Sequence, residues 1–213
     1  LFSVMNKARR GETVTFAVIG GSITQGCHAD VKSESYAELV HGWWKRTFPG
    51  TVINYINAGI GATDSYIGVH RADSDLISCS PDVVIVEFSV NDSDKAINPR
   101  AYDSLLRKLL RSERNTAVIL LFTMTQKGES MQEEHMKSGM LYGLPMISYK
   151  NAVFPELENN TLDWKDISPD DIHPSSAGHR IISELIISYL DIVFDELLSD
   201  VITMPFDTPS PYG

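Results

Sequence analysis

The sequence predicts an α/β fold built on a mostly parallel sheet. Short apolar runs rich in β-branched residues alternate along the chain with longer segments of helical periodicity. Four of the five runs are strongly apolar and carry β-branched residues, as strands covered on both faces do, whereas a half-solvated strand alternates polar with apolar. Glycine or small polar residues follow the first three runs directly, which is where ligands bind in open α/β sheets.

The first strand spans residues 13–19 and ends in Gly20-Gly21-Ser22. A helix over 35–48 follows, with Tyr36, Leu39, Val40, Trp43 and Trp44 at helical spacing, and Pro49-Gly50 closes it. Adjacent Trp43 and Trp44 point to different sides of that helix, so one packs and the other is half covered. The second strand, 51–57, runs into Ala58-Gly59, and the third, 82–89, into Val90-Asn91-Asp92. A helix over 99–111 carries Tyr102, Leu105, Leu106 and Leu109, and a fourth strand covers 116–123. Residues 145–148 form a shorter fifth strand. The last helix starts at Ser175 or Ser176, either of which can cap it, and buries a stripe from Ile181 to Leu197. Parallel strands need crossovers, and right-handed crossovers place helices on both faces of the sheet.

At 213 residues the chain suits one domain, read here as 1–203, with 204–213 as a linker or arm because Pro205, Pro209 and Pro211 crowd it. No apolar run approaches the ~20 residues of a membrane-spanning helix. The net charge of −10 repels nucleic acid and anionic bilayers and suits a neutral small-molecule or oligosaccharide substrate. Cys27 and Cys79 are expected as free, buried thiols rather than a disulfide framework. The chain opens at Leu1 without a charged leader and apolar segment, so any export signal is expected to have been removed or never to have existed; the compartment stays open.

Three residues far apart in sequence propose one reaction centre. Ser22 follows the first strand, and Gly20 and Gly21 are expected to make a tight turn with positive φ that lifts its side chain to the sheet edge. The lysine and second glycine of a phosphate-binding P-loop are absent. A serine hydroxyl needs a base to become a nucleophile, and a histidine oriented by a carboxylate is the usual one. Asp170-Asp171-Ile172-His173 supplies that pair: a carboxylate three residues ahead can reach back to Nδ1 and leave Nε2 free. Asp171 is the alternative acid, with spacing favouring Asp170. Gly59 can offer its N–H, and Asn91 its side-chain amide, to a developing oxyanion. His41, His70, His135 and His179 are expected in packed or solvated roles. Trp164 is either an exposed platform for a sugar ring or an anchor on the core. Cys27-His28 with Asp170, Asp171 and His173 shows no zinc-type spacing, so no metal is expected.

The ordered set Gly20-Gly21-Ser22-Ile23, Gly59, Asn91 and Asp170 to His173 resembles the SGNH hydrolases, also called the GDSL esterase/lipase family, over nearly the whole chain. That resemblance implies a flavodoxin-like three-layer α/β/α fold, no metal or cofactor, and ester hydrolysis through an acyl-serine. It assigns Ser22, Asp170 and His173 to the triad, and Ser22, Gly59 and Asn91 to the oxyanion hole. Gly21 replaces the aspartate of the family signature, and Ser89 the glycine before x-Asn-Asp; neither change removes a reacting group. The Gly-Gly-Ser-Ile-Thr start and the stretch 164–178 resemble bacterial members that deacetylate polysaccharides, which implies short acyl, above all acetyl, esters of carbohydrate. Lipid esters, thioesters and acyl transfer stay open as alternatives. A non-catalytic glycan-binding module on the same fold is the rival from another class.

Overall fold

The computed structural model describes residues 1–112 and 115–203; the proline-rich segment 204–213 lies outside the described residues. Five strands, β1 Val14–Gly20, β2 Ile53–Gly59, β3 Val83–Glu87, β4 Ala117–Phe122 and β5 Met146–Ser148, form one sheet in the order β2-β1-β3-β4-β5. Every pairing is parallel, and the register sets Gly20 opposite both Gly59 and Glu87. This is the doubly wound flavodoxin-type order, in which the chain reverses its direction of winding between β1 and β3.

Helices cover both faces: α1 Phe2–Arg9, α2 Ser22–Gln25, α3 Tyr36–Thr47, α4 Ser65–Asp75, α5 Asn98–Leu110, α6 Gln132–Tyr142, α7 Tyr149–Glu158, α8 Trp164–Ile167 and α9 Ser176–Thr203. Alternate strand residues divide between two cores. Val14, Phe16, Val18, Val83, Ile85, Ile119 and Leu121 join Trp44, Ile182, Ile186 and Leu190 on the face covered by α1, α3 and α9. Ala17, Ile19, Val84, Val86, Leu120 and Phe122 meet Ala72, Leu105, Leu106 and Leu109 on the opposite face. The strongly apolar strands therefore serve two layers of packing. Trp43 and Trp44 are both buried, against the expectation that one would be half covered, because α3 packs against both the sheet and α9 and Trp43 Nε1 donates to Asp191 Oδ1 at 2.7 Å.

The expected strands and the helices α3 and α5 appear within two residues of the expected spans, and α9 begins at Ser176 as expected. The sequence pattern missed α1, α6, α7 and α8 and marked α4 only around His70. Helix α4 buries Ser65, Gly68 and Ala72, and α6 buries Gln132, His135 and Gly139, so neither carries the apolar stripe that periodicity detects. Local chemistry nevertheless starts several helices: Ser35 caps α3 by accepting from Glu38 N, Asp64 caps α4 by accepting from Ile67 N, and Ser148 caps α7 by accepting from Asn151 N. No helix among the described residues is long and apolar enough to cross a membrane. Both cysteines are free, but Cys79 is exposed and Cys27 half-buried, so neither is the buried thiol expected.

Glu87 ends β3 fully buried. Burial raises its pKa to about 7 from the usual 4.5, against the opposing pull of donors on Thr123, Ser89 and Thr24. A folded pKa above the unfolded one means the native state holds the proton longer, so this residue's contribution to stability is greatest below about pH 4.5 and falls as pH rises towards 7. Glu87→Gln should remove that slope. In urea unfolding at pH 5 and pH 8, the variant is expected to gain stability relative to wild type at the higher pH, and equal differences at both pH values would contradict the assignment.

Candidate active site

The turn after β1 places Ser22 at the start of α2, above the carboxyl end of the sheet. Its geometry corrects the expectation of positive φ. Gly21 has φ −88°, and neither Gly20 nor Gly21 is among the positive-φ residues. Glycine is needed at position 20 for close approach instead: a Cβ there would lie 2.2 Å from Thr24 Oγ1 and 2.4 Å from the Glu87 carbonyl oxygen. A Cβ on Gly21 would lie 2.2 Å from Asn91 Oδ1, so the Asn91 carboxamide takes the space a side chain at 21 would fill. Thr24, behind Ser22, is tied to the Tyr36 hydroxyl at 2.8 Å and to Glu87 Oε2 at 3.4 Å.

Ser22 Oγ lies 2.9 Å from His173 Nε2, and His173 Nδ1 lies 2.8 Å from Asp170 Oδ2. The other oxygen of Asp170 accepts from the backbone N–H of Ile172 at 2.8 Å and of His173 at 2.7 Å. Partial burial alone would raise the Asp170 pKa. The His173 and Ile172 amides and the His173 ring outweigh it and hold the carboxyl at about 2, ionised throughout the neutral range. Asp171 is exposed, and its carbonyl accepts from Gln126 N at 2.8 Å. The structure thus brings Ser22, His173 and Asp170 into one chain of contacts, while Asp171 serves the loop through its backbone.

The loop carrying His173 is clamped from below. Trp164 Nε1 donates to the Asp170 carbonyl at 2.6 Å, and Ser168 Oγ lies 2.7 Å and 2.6 Å from the carbonyls of Asp170 and His173. Ser175 N donates to Ile167 O at 2.8 Å, and a Cβ on Gly178 would come within 2.3 Å of that same oxygen. Trp164 is only 6% exposed, so the platform reading is corrected to the anchor reading: the indole lies buried to hold the loop. It also contributes to the wall of a surface cavity of about 420 Å³ with Gln126, Asn160 and Asp163. His179, on the first turn of α9, is buried; its Nδ1 accepts from Tyr36 N at 3.4 Å and its Nε2 faces the Cys27 carbonyl at 3.2 Å. Burial lowers its pKa.

The expected oxyanion donors divide. Asn91 sits in the turn after β3, its N–H bonded to Phe88 O at 3.0 Å; its Nδ2 makes no hydrogen bond with the described residues. Gly59 does not present a free amide. Its N–H donates to Asn57 Oδ1 at 2.9 Å, and Asn57 Nδ2 donates to Thr24 O at 2.9 Å. Glycine is required there because a Cβ would stand 2.4 Å from Gln25 N, where α2 crosses the end of β2. In the turn that follows, Gly61 N donates to Gln25 Oε1, and a Cβ on Gly61 would touch Ser22 Cβ at 3.7 Å. Ala62 stands next at φ +59°, and its N–H has no acceptor among the described residues.

Sequence patterns missed the supports of Asn91. Asp92 Oδ1 accepts from Ser65 N at 2.7 Å, and Oδ2 lies 2.8 Å from His135 Nε2, with both side chains fully buried. His135 stacks on Tyr102 with ring centroids 3.7 Å apart. The signal available was the carboxylate directly after Asn91; its partner lies too far along the chain for spacing to reveal it.

Solved structures resemble between 82% and 99% of the chain. A two-domain esterase active on acetylated mannans, crystallised with mannopentaose, is 38% identical with a TM-score of 0.88, covering 99% of this chain and 56% of its own. The chain therefore spans little more than half the length of that relative. An acetyl xylan esterase at 21% identity (TM-score 0.69, covering 83% of this chain and 99% of its own) shares the fold. So does a catalytic mutant of an acetylxylan esterase from Geobacillus stearothermophilus at 18% identity (TM-score 0.70, covering 82% and 93%). A search of the curated proteins finds no match. Residues 18–181 match the GDSL-like lipase/acylhydrolase family, and the chain belongs to that family.

Proposed function

We propose that residues 1–203 form a serine esterase domain that removes short acyl groups, above all acetyl, from carbohydrate. The observation that carries this reading is the 2.9 Å reach between Ser22 Oγ and His173 Nε2, with Asp170 on the far nitrogen. The substrate class rests on the likeness to the esterase active on acetylated mannans, and the surface charge of −10 suits a neutral polysaccharide.

In this mechanism Ser22 Oγ attacks the acyl carbonyl carbon while His173 Nε2 takes the hydroxyl proton. Asp170 stays ionised and steadies the imidazolium through Nδ1–H. The tetrahedral oxyanion accepts from the Ser22 N–H and Asn91 Nδ2. The third donor, assigned to Gly59 from sequence, passes to the Ala62 N–H, because the Gly59 amide is held by Asn57, while the Ala62 amide, next to the Gly61 that adjoins Ser22, has no acceptor among the described residues. The intermediate collapses as His173 gives its proton to the departing sugar oxygen, leaving acyl-Ser22. Water then attacks with His173 again as base, and the carboxylic acid leaves with Ser22 restored.

Wild type is expected to turn over p-nitrophenyl acetate and to react with a fluorophosphonate probe, and Ser22→Ala to do neither while unfolding normally in urea. A folded wild type that is neither labelled nor active would favour a glycan-binding module. Asn91→Ala should lower kcat by about 10²–10³ with KM little changed. For the acid, Asp170→Asn should cost roughly 10³–10⁴ in kcat and Asp171→Asn little; the reverse order would move the role to Asp171.

A further inference from the structure

Beside the Ser22–His173 pair lie two side chains that the proposed reaction does not use, Cys27 and His28. Helix α2 ends at Gly26 with φ +97°, and His28 follows at φ +63°, a left-handed conformation that is uphill for a residue with a Cβ. That backbone carries the His28 imidazole back towards the loop at the far end of the chain. His28 Nε2 lies 3.4 Å from Asp170 Oδ2, and its ring centroid is 5.3 Å from that of His173. Cys27 Sγ, one ring nitrogen of His28 and one of His173 all lie within 4.8 Å of one another.

We propose that Cys27, His28 and His173 form a zinc(II) site that captures the histidine base. A tetrahedral zinc ion with bonds of about 2.0–2.3 Å holds its ligand atoms about 3.5 Å apart, so the three groups need to close by about 1 Å. His28 can supply that movement, because its side chain is 47% exposed. One thiolate with two imidazoles selects zinc over the hard cations magnesium and calcium, which prefer oxygen. The half-buried Cys27 and His173 leave the ion a path from solvent, and the Asp170 carboxylate beside His28 adds favourable charge. Water or the Ser22 hydroxyl takes the fourth position. Binding replaces the Cys27 thiol proton, which leaves to solvent. With either ring nitrogen of His173 on zinc, the Ser22–His173–Asp170 relay is broken: Nε2 is no longer a base, or Nδ1 no longer faces Asp170. The two ligand groups lie far apart in sequence, which is why spacing alone gave no zinc pattern.

Metal binding itself does not depend on the proposed esterase activity; only inhibition rests on it. The test titrates the reduced chain with zinc(II) against a chromophoric chelator, and with cobalt(II) followed by absorption. One equivalent should bind, and the cobalt form should show a thiolate-to-metal charge-transfer band. Cys27→Ala should abolish the band, and His28→Ala should weaken zinc binding by at least roughly tenfold. Zinc should also suppress p-nitrophenyl acetate turnover of wild type, reversibly on adding EDTA, while Cys27→Ala keeps its own zinc-free rate over the same range. Zinc affinity unchanged in a folded Cys27→Ala, or stoichiometric zinc that leaves wild-type turnover intact, would overturn the site. Zinc binding with the thiolate band in a protein that never cleaves ester, even without metal, would uphold the metal site and sink the esterase reading.

Discussion

A hydroxyl and an imidazole drawn from opposite ends of a chain meet at hydrogen-bond distance only if the segment carrying the imidazole cannot drift, and here the immobility of residues 168–175 is the constraint on which the site depends. That segment has little regular structure. Its order comes from the Trp164 indole and the Ser168 hydroxyl beneath the Asp170 and His173 carbonyls, and from the Ser175 amide on Ile167. Burying a tryptophan to hold one carbonyl is understandable when the ring N–H needs a partner and the loop needs an anchor. Asp170 then works twice, turning the loop through two backbone amides and facing the ring through its second oxygen.

The sheet supplies the other half. Winding reverses between β1 and β3, so the turns that leave these neighbouring strands diverge and open a crevice at their carboxyl ends. Ser22 lies on one turn and Asn91 on the other. Three glycines let backbones and side chains close in around that crevice without room for a Cβ: Gly20 against Thr24 and Glu87, Gly21 against Asn91, and Gly59 against α2. The Asp92–His135 contact fixes the Asn91 turn from the opposite face of the sheet, through α6.

Much of this was legible in the residues themselves. Strongly apolar, β-branched runs located the strands, and the small residues at their ends located the crevice, because both follow from rules one element long. Ser22, Asp170 and His173 stood out because their chemistry demands those types near strand ends. What escaped was set by distance in space. Sequence could not show that Asn57 takes the Gly59 amide. Trp164 offered two readings that only burial separates. Helices α4 and α6 escaped because small and polar side chains fill their inner faces, and Cys27-His28 was discounted as a metal group because His173 joins it only after folding.

His179 bonds at once to the backbone where α3 begins and to the Cys27 carbonyl just past the serine's short helix, while riding on the helix that follows the base. The segments that carry Ser22 and His173 are thereby referenced to a common fixture. One imidazole on α9 thus spans the start of α3 and the segment just past Ser22, and without it neither backbone group would keep that bond to the helix behind His173.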